Sequence, residues 1–174
     1  AYREAIRLKG SAAALHGGLG LVLWHLRRHG EAAAAFRDAI RLEPGNPTWH
    51  RRLGRVLERQ GHFAEAETAF RHAIRLHPED LSAHLGLAAV LRRESRWAEE
   101  AETYRCALRL RPDDPGLHYD LGLALSAQGL DAAAEAAFRA AVALEPGNAD
   151  FHVELGIALG RQGKHAQAEI ALRE

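Results

Sequence analysis

Methionine is absent from this chain of 174 residues, lysine occurs only at Lys9 and Lys164, and Cys106 is the single cysteine. A lone cysteine excludes an internal disulfide, so the fold depends on packing and hydrogen bonding. The formal net charge is zero, and therefore no global field attracts nucleic acid or an anionic membrane surface. The sequence also lacks a run of about eighteen apolar residues, which argues against a membrane-spanning helix. We therefore expect neither nucleic acid nor a membrane as a partner.

What the chain does contain is a period of 34 residues. Proline, alanine, leucine and aromatic residues each recur at this interval: Pro44, Pro78, Pro112 and Pro146; Ala5, Ala39, Ala73, Ala107 and Ala141; Leu19, Leu53, Leu87, Leu121 and Leu155; Tyr2, Phe36, Phe70, Tyr104 and Phe138. A fixed period of this length is typical of a solenoid, in which each repeat buries its apolar face only against its neighbours.

The residues within one period identify the kind of repeat. The second complete period reads His50-x-x-Leu53-Gly54-x-x-Leu57, then Gly61, Ala66-x-x-x-Phe70, Ala73 and Pro78. This pattern resembles the tetratricopeptide repeat, which carries Trp-x-x-Leu-Gly-x-x-Tyr, Ala-x-x-x-Phe and Pro over about 34 residues. The resemblance implies an all-α fold, a right-handed superhelical solenoid of antiparallel helix pairs, which generally serves as a scaffold for other proteins.

The resemblance covers the whole chain as a single solenoid domain. We divide it into a partial repeat (1–12), four complete repeats (13–46, 47–80, 81–114 and 115–148) and a last partial repeat (149–174). Because the chain opens in mid-repeat, we expect it to be a segment of a longer protein. We expect a cytoplasmic location.

Local signals predict helices independently of the resemblance. Apolar residues at helical spacing, such as Leu53 and Leu57, predict the first helix of a repeat, with a glycine such as Gly61 in the turn that follows. Favoured N-cap residues stand where each first helix should begin: Asn46, Asp80, Asp114 and Asn148. We predict eleven helices, the first over about 2–9 and the last over about 166–174.

Two repeats depart from the pattern. Arg27 replaces the turn glycine of the first complete repeat, so we expect its first helix to run longer and its second to begin late. Glu100 replaces the alanine found at Ala32, Ala66, Ala134 and Ala168. Because a buried unpaired carboxylate is costly, we expect Glu100 to reach the edge of the core.

A histidine recurs at the position where the family has tryptophan: His16, His50, His84, His118 and His152. Equivalent residues of stacked helices lie about 8–10 Å apart, whereas two ligands of one zinc ion both lie about 2.0–2.1 Å from the metal. We therefore interpret these residues as packing histidines and predict no metal site.

The sequence contains no catalytic motif. No glycine-rich phosphate loop follows a strand, and no serine or cysteine stands in a recognisable motif beside a histidine. We predict that the chain is not an enzyme and needs no cofactor.

The resemblance places the first helices along a concave groove, so their outward residues are the candidate site. Arg51, Arg52, Arg55 and Arg59 share one side of a first helix, and the other repeats place mostly apolar residues in the same region: Leu85, Ala89, Arg93, Tyr119, Leu123, Val153 and Ile157. The arginines are either a solvated charged face or an anion-binding patch, since guanidinium groups suit carboxylates. The groove predicts a protein or peptide partner with apolar and acidic groups.

Two functional hypotheses fit these observations. The first is a non-catalytic protein–protein interaction scaffold that binds a peptide or protein segment in the groove. The alternative is a substrate-recruiting accessory segment of a larger enzyme, such as a glycosyltransferase or sulfotransferase. Ile6 and Leu8 in the first helix and Ile170 and Leu172 in the last have no capping helix beyond them. We therefore expect either further native sequence beyond both ends or end-to-end self-association between copies.

Overall fold

The computed structural model describes residues 2–174, with side chains from Ala12 onward. Its described residues form ten α-helices and no strand. The helices are α1 (Tyr2–His25), α2 (His29–Leu42), α3 (Pro47–Gln60), α4 (Phe63–Leu76), α5 (Leu81–Arg93), α6 (Trp97–Leu110), α7 (Pro115–Ala127), α8 (Asp131–Leu144), α9 (Ala149–Arg161) and α10 (His165–Ala171). The predicted all-α class is confirmed.

The predicted N-cap residues do cap the first helices of the repeats. The side chains of Asn46 and Asn148 accept hydrogen bonds from backbone N–H groups two residues ahead, at 3.0 and 3.2 Å. Those of Asp80 and Asp114 accept from groups three residues ahead, at 3.1 and 3.2 Å. Such bonds satisfy donors that lack a partner inside the helix, which is why these residue types mark helix starts.

The prediction of eleven helices is wrong because the first two are joined. Residues 2–9 and the following first helix form the single helix α1, which continues through Gly10 and Ser11. In the later repeats the second helix stops just before a proline such as Pro44, which cannot continue a helix. Gly10 occupies that register here, so nothing forces the chain to turn. The boundary drawn between residues 12 and 13 therefore falls inside α1.

The turn after α1 also differs from the prediction. Arg27 adopts a left-handed conformation with φ 59°, as Gly61 does with φ 80°. Consequently α1 ends no later than α3 and α2 begins on time, in the register of α4. Ser95 takes the same conformation, with φ 57°. The turn is therefore dictated by the packing of the two helices, and a residue other than glycine is held in it.

Two compact units make up the chain, one ending at Val90 and the other beginning at Leu91. In the N-terminal unit, α1 packs on α2, α2 on α3, and α3 on α4. In the C-terminal unit, α6 to α10 pack in sequence, and α7 also contacts α9. Each unit thus stacks helix pairs on one another, as a repeat solenoid requires.

The core of each unit consists of the periodic residues. The aromatic side chains at Phe36, Phe70 and Phe138 are at most 1% exposed. Each ring packs against a glycine of a first helix, as Phe138 does against Gly122. A Cβ atom added to Gly122 would lie 2.4 Å from the ring of Phe138, so glycine is required there for close packing. This layer fixes which side of each first helix is left outward.

Candidate protein-binding faces

In the N-terminal unit the four predicted arginines of α3 lie outward, but they do not have the same surroundings. Arg51 is half-buried, and its Nε atom lies 3.1 Å from Oδ2 of Asp80, the N-cap of α5. Because this ion pair joins the start of α5 to α3, Arg51 has a structural partner. Arg55 and Arg59 are exposed, and Arg52 is half-buried.

The positive charge of this face is only partly compensated. Among the residues that the structure describes, no carboxylate pairs with Arg52, Arg55 or Arg59. The Nε atom of Arg52 is buried without a hydrogen-bond partner. Burial lowers the pKa of Arg52, and the neighbouring charges of Arg51 and Arg55 lower it further. The guanidinium of Arg55 lies 5.9 Å from the ring of Trp24, a cation–π contact that positions it on α1.

The same unit also carries apolar residues in the register of Arg51 and Arg55, on α5. Leu85 on α5 is 37% exposed, and Ala89 one turn further is half-buried. We call Arg51, Arg52, Arg55, Arg59, Leu85 and Ala89 the basic face. It combines three arginines that have no carboxylate partner among the described residues with accessible apolar atoms.

In the C-terminal unit the predicted residues form an apolar face. Val153 is 43% and Ile157 40% exposed, while Tyr119 and Leu123 are half-buried. The ring of Tyr119 lies 5.0 Å from that of Phe151, centroid to centroid. These four outward residues, on α7 and α9, are called the apolar face.

The sequence prediction missed the acidic groups beside the apolar face. Burial raises the pKa of Tyr119, and the negative charges of Glu154, Asp150 and Asp120 raise it further. Asp120 and Glu154 stand in the register of Arg52, so comparison of that register along the chain would have revealed the reversal of charge. The two faces therefore have opposite electrostatic character.

Arg92 has a role inside the C-terminal unit. Its Nε atom donates to Oε1 of Glu100 at 2.6 Å, and its Nη2 atom donates to Asp120 and to the hydroxyl of Tyr104, both at 2.9 Å. The expectation that Glu100 reaches the edge of the core is wrong, because its side chain is 1% exposed and this ion pair compensates its charge. Arg93, the predicted site residue next to it, is exposed and makes no ion pair among the described residues.

The pKa values of this cluster reflect burial. Burial raises the pKa of Glu100, an effect that the hydrogen bond from Arg92 opposes. Burial by itself would lower the pKa of Arg92, but hydrogen bonds to Asp120 and Glu100 hold it above its ordinary value. The Oε2 atom of Glu100 has no hydrogen-bond partner, so the compensation is incomplete. The cluster is a structural network of the C-terminal unit.

The histidine column has a common structural partner. Each of four histidines places Nε2 at 2.8–2.9 Å from the carbonyl oxygen of the proline six residues earlier: His50 with Pro44, His84 with Pro78, His118 with Pro112 and His152 with Pro146. A carbonyl only accepts, so Nε2 carries the proton. The bond ties the loop between two repeats to the helix that follows it. The packing interpretation accounts for all four.

A cleft occurs in the same register of both units, between consecutive second helices. In the N-terminal unit it has a volume of about 470 Å³, with Leu53 and Leu57 as its floor and Arg37 and Glu65, paired at 2.8 Å, at its edge. The equivalent cleft over α9 has a volume of about 330 Å³. Because it recurs with the repeat, this cleft follows from helix stacking and does not mark a distinct site.

The part of the chain that the structure describes contains no cluster of three or more side chains that could ligate a metal. None of its helices combines the length and apolar character needed to cross a membrane.

Comparison with known proteins agrees with the repeat. The family model for the tetratricopeptide repeat matches residues 1–47, 51–115 and 119–174. No curated protein sequence matches the chain. Among solved structures, MamA from Desulfovibrio magneticus RS-1, solved from residue 41 to its end, is 23% identical, with a TM-score of 0.83 over 93% of this chain and 92% of that MamA chain. YrrB, described as a tetratricopeptide repeat protein with an unusual peptide-binding site, is 21% identical, with a TM-score of 0.83 over 99% of this chain and 89% of its own.

Proposed function

Because the chain belongs to the tetratricopeptide repeat family, we propose that it is a non-catalytic protein–protein interaction scaffold whose outward first-helix residues bind a protein or peptide segment. The observation that carries this proposal is the uncompensated positive charge of the basic face. A scaffold that served only to hold its own helices would place carboxylates beside Arg52 and Arg55, as it does beside Arg51.

The chemistry of the basic face defines the segment that it binds. Guanidinium groups donate paired hydrogen bonds to a carboxylate, and the exposed Arg55 and Arg59 are free to do so. Leu85 and Ala89 supply an apolar contact in the same unit. The segment therefore carries an acidic group together with an apolar side chain. The description of YrrB as a peptide-binding protein supports a peptide ligand for this fold.

Binding of labelled peptides tests the proposal. Short fluorescent peptides that combine glutamate or aspartate with leucine are titrated with the chain, and fluorescence anisotropy is measured at two salt concentrations. We expect saturable binding that weakens as salt rises, because exposed charges are screened within about 8–10 Å. Peptides in which lysine replaces the acidic residues should not bind.

A triple variant locates the binding site. Substitution of Arg51, Arg55 and Arg59 by alanine should weaken binding at least tenfold and leave the helix content unchanged. The exposed Arg55 and Arg59 contribute within about ±0.5 kcal/mol each to stability, and loss of the ion pair between Arg51 and Asp80 adds a cost of about 1 kcal/mol. The matched control replaces three exposed arginines of the second helices in the same unit, Arg37, Arg41 and Arg75. Equal weakening by both triple variants would show a non-specific charge effect and overturn the assignment.

A further inference from the structure

Helix α1, together with Leu26 just after its end, leaves a row of apolar side chains in contact with solvent. Leu15 is 74% exposed, Leu19 51%, Val22 57% and Leu26 60%. These four residues, called the α1 seam, follow one another at intervals of four, three and four positions. This is the a/d spacing of a heptad, which aligns side chains along one side of a helix so that a second helix can pack against them.

The α1 seam lies in an uncharged stretch. No aspartate, glutamate, lysine or arginine occurs between Lys9 and Arg27. The outward side of a solvated helix ordinarily carries charged and polar residues. A contiguous exposed apolar surface without them is typical of an interface.

The positions of the next repeat that correspond to the two central residues of the seam are buried. Leu53 stands in the register of Leu19 and is 8% exposed, and Val56 stands in that of Val22 and is 1% exposed. They are covered because α2, the second helix of the preceding pair, packs on α3. The α1 seam is thus a first-helix surface that has no preceding second helix upon it.

The chain does contain the sequence of such a helix, but it cannot reach its own seam. Tyr2 and Ala5 stand in the registers of the buried Phe36 and Ala39. However, α1 is one continuous helix over Tyr2–His25. A helix advances about 1.5 Å per residue, so residues 2–9 extend along the axis and away from the seam. The seam that residues 2–9 can cover belongs to another molecule.

We propose that α1 pairs with α1 of a second copy of this chain, antiparallel and across a two-fold axis near the middle of the helix. Residues 2–9 of each copy then cover Leu15, Leu19 and Val22 of the other, as α2 covers α3 within one chain. Leu8 and Ala12 continue the heptad spacing of the seam toward that axis. Exchange of equivalent elements between copies is a common route to dimers, and a two-fold contact closes at two copies.

The oligomeric state in solution tests this proposal. Light scattering during size-exclusion chromatography, over a series of concentrations, should show a dimer for the unchanged chain. The double variant Leu19→Glu, Val22→Glu should raise the dimer dissociation constant at least tenfold and give a monomer. The control Leu144→Glu changes a leucine that is 41% exposed on α8 and should leave the dimer intact.

Two further measurements distinguish loss of the dimer from loss of the fold and test the position of the two-fold axis. Circular dichroism, expressed per residue, should show the same helix content for the double variant as for the unchanged chain. Both substituted side chains are already in solvent within one chain, so their replacement does not disturb its core. Ala12→Cys, placed in a Cys106→Ser background, should oxidise to a covalent dimer, since position 12 of one copy lies beside position 12 of the other. Failure to cross-link would contradict the two-fold arrangement.

Other outcomes overturn the proposal. The unchanged chain could remain a monomer at every concentration, or it could form a dimer that Leu19→Glu, Val22→Glu leaves intact. Species that grow beyond two copies and are abolished by Ile170→Glu would instead demonstrate end-to-end stacking. The side chains of Ile6 and Leu8, on which that expectation partly depends, lie outside the described residues, whereas Ile170 and Leu172 are 63% and 55% exposed. The peptide-binding measurements address a different face and are decided separately.

Discussion

The Nε2 atom of His84 lies 2.9 Å from the carbonyl oxygen of Pro78, and this single contact connects two of the periodic positions of the sequence. The proline ends one repeat, and the histidine lies in the first helix of the next. Three other repeats contain the same bond. The histidine column therefore holds the loops between repeats against the helices that follow them. This structural role requires neither metal binding nor catalysis.

His84→Ala should destabilise the chain by about 1–2 kcal/mol, because it removes the hydrogen bond to Pro78 and leaves a small void in place of a buried side chain. His16 provides the matched control, since it occupies the same register but has Gly10 in place of the proline. Its Nδ1 atom lies 3.8 Å from Asp38 on the surface, so His16→Ala should cost less than about 0.5 kcal/mol. Urea denaturation measures both. Equal losses of unfolding free energy in the two variants would contradict a stabilising role for the bond between His84 and Pro78.

Arg92→Ala should destabilise the chain by about 3 kcal/mol at neutral pH, because it leaves Glu100 buried without its partner. The double variant Arg92→Ala, Glu100→Ala should recover most of this loss, since alanine is the residue found at this register in other repeats. The single variant should also become more stable, relative to the unchanged chain, as pH falls from 7 to 5. Protonation then removes the buried charge, whose pKa burial already raises. Thermal unfolding of the four forms, at both pH values, gives the double-mutant cycle. If the losses of stability in the two single variants add up to the loss in the double variant, Arg92 and Glu100 are not coupled.

Ser95→Gly should stabilise the chain by about 0.5–1 kcal/mol. A residue with a Cβ atom in the left-handed region costs about 1–2 kcal/mol, and the greater freedom of glycine in the unfolded chain offsets part of the gain. Gly61, Gly129 and Gly163 occupy the same turn with φ of 80°, 74° and 76°. Ser82→Gly is the control: it places glycine inside α5 and should lower the melting temperature where Ser95→Gly raises it. A lower melting temperature for both would contradict the assignment.

Acid should weaken the C-terminal unit through Glu135. Hydrogen bonds from Lys164 at 2.6 Å, Gln162 at 2.9 Å and Arg139 at 2.9 Å lower the pKa of Glu135 to about 2. A pKa below that of the unfolded chain means that the carboxylate stabilises the fold above about pH 4.5 and loses this effect as pH falls toward 2. Because Lys164 and Arg139 are about half exposed, solvent screening limits the contribution to about 1–2 kcal/mol.

Glu135→Gln isolates that contribution. The difference in unfolding free energy between the unchanged chain and this variant should be constant from pH 5 to 7. It should shrink as pH falls below about 4.5 and vanish only below pH 2, where the carboxyl group of the folded chain is protonated. A difference that is independent of pH over the whole range would show that the ion pairs of Glu135 do not stabilise the fold.

The sequence by itself determined the repeat, the helix type and the outward side of each first helix. These properties are local and recur: a cap at Asn46 or Asp114 acts within one turn, and the spacing of Leu53 and Leu57 defines a face without reference to any neighbour. For that reason the helix wheel of residues 48–60 correctly placed Arg55 and Arg59 in solvent. That these residues bind a partner stays a prediction.

Only the tertiary structure decided what each departure from the period does. Arg27 takes the glycine conformation because α1 and α2 must pack, and Glu100 stays buried because Arg92, eight residues away, turns toward it. Gly10 and Ser11 permit either a turn or a continuous helix, and no local signal chooses between them. The continuous helix leaves Leu19 exposed where Leu53 is buried. Such outcomes depend on the sum of contacts between distant residues, which a pattern along the chain does not contain.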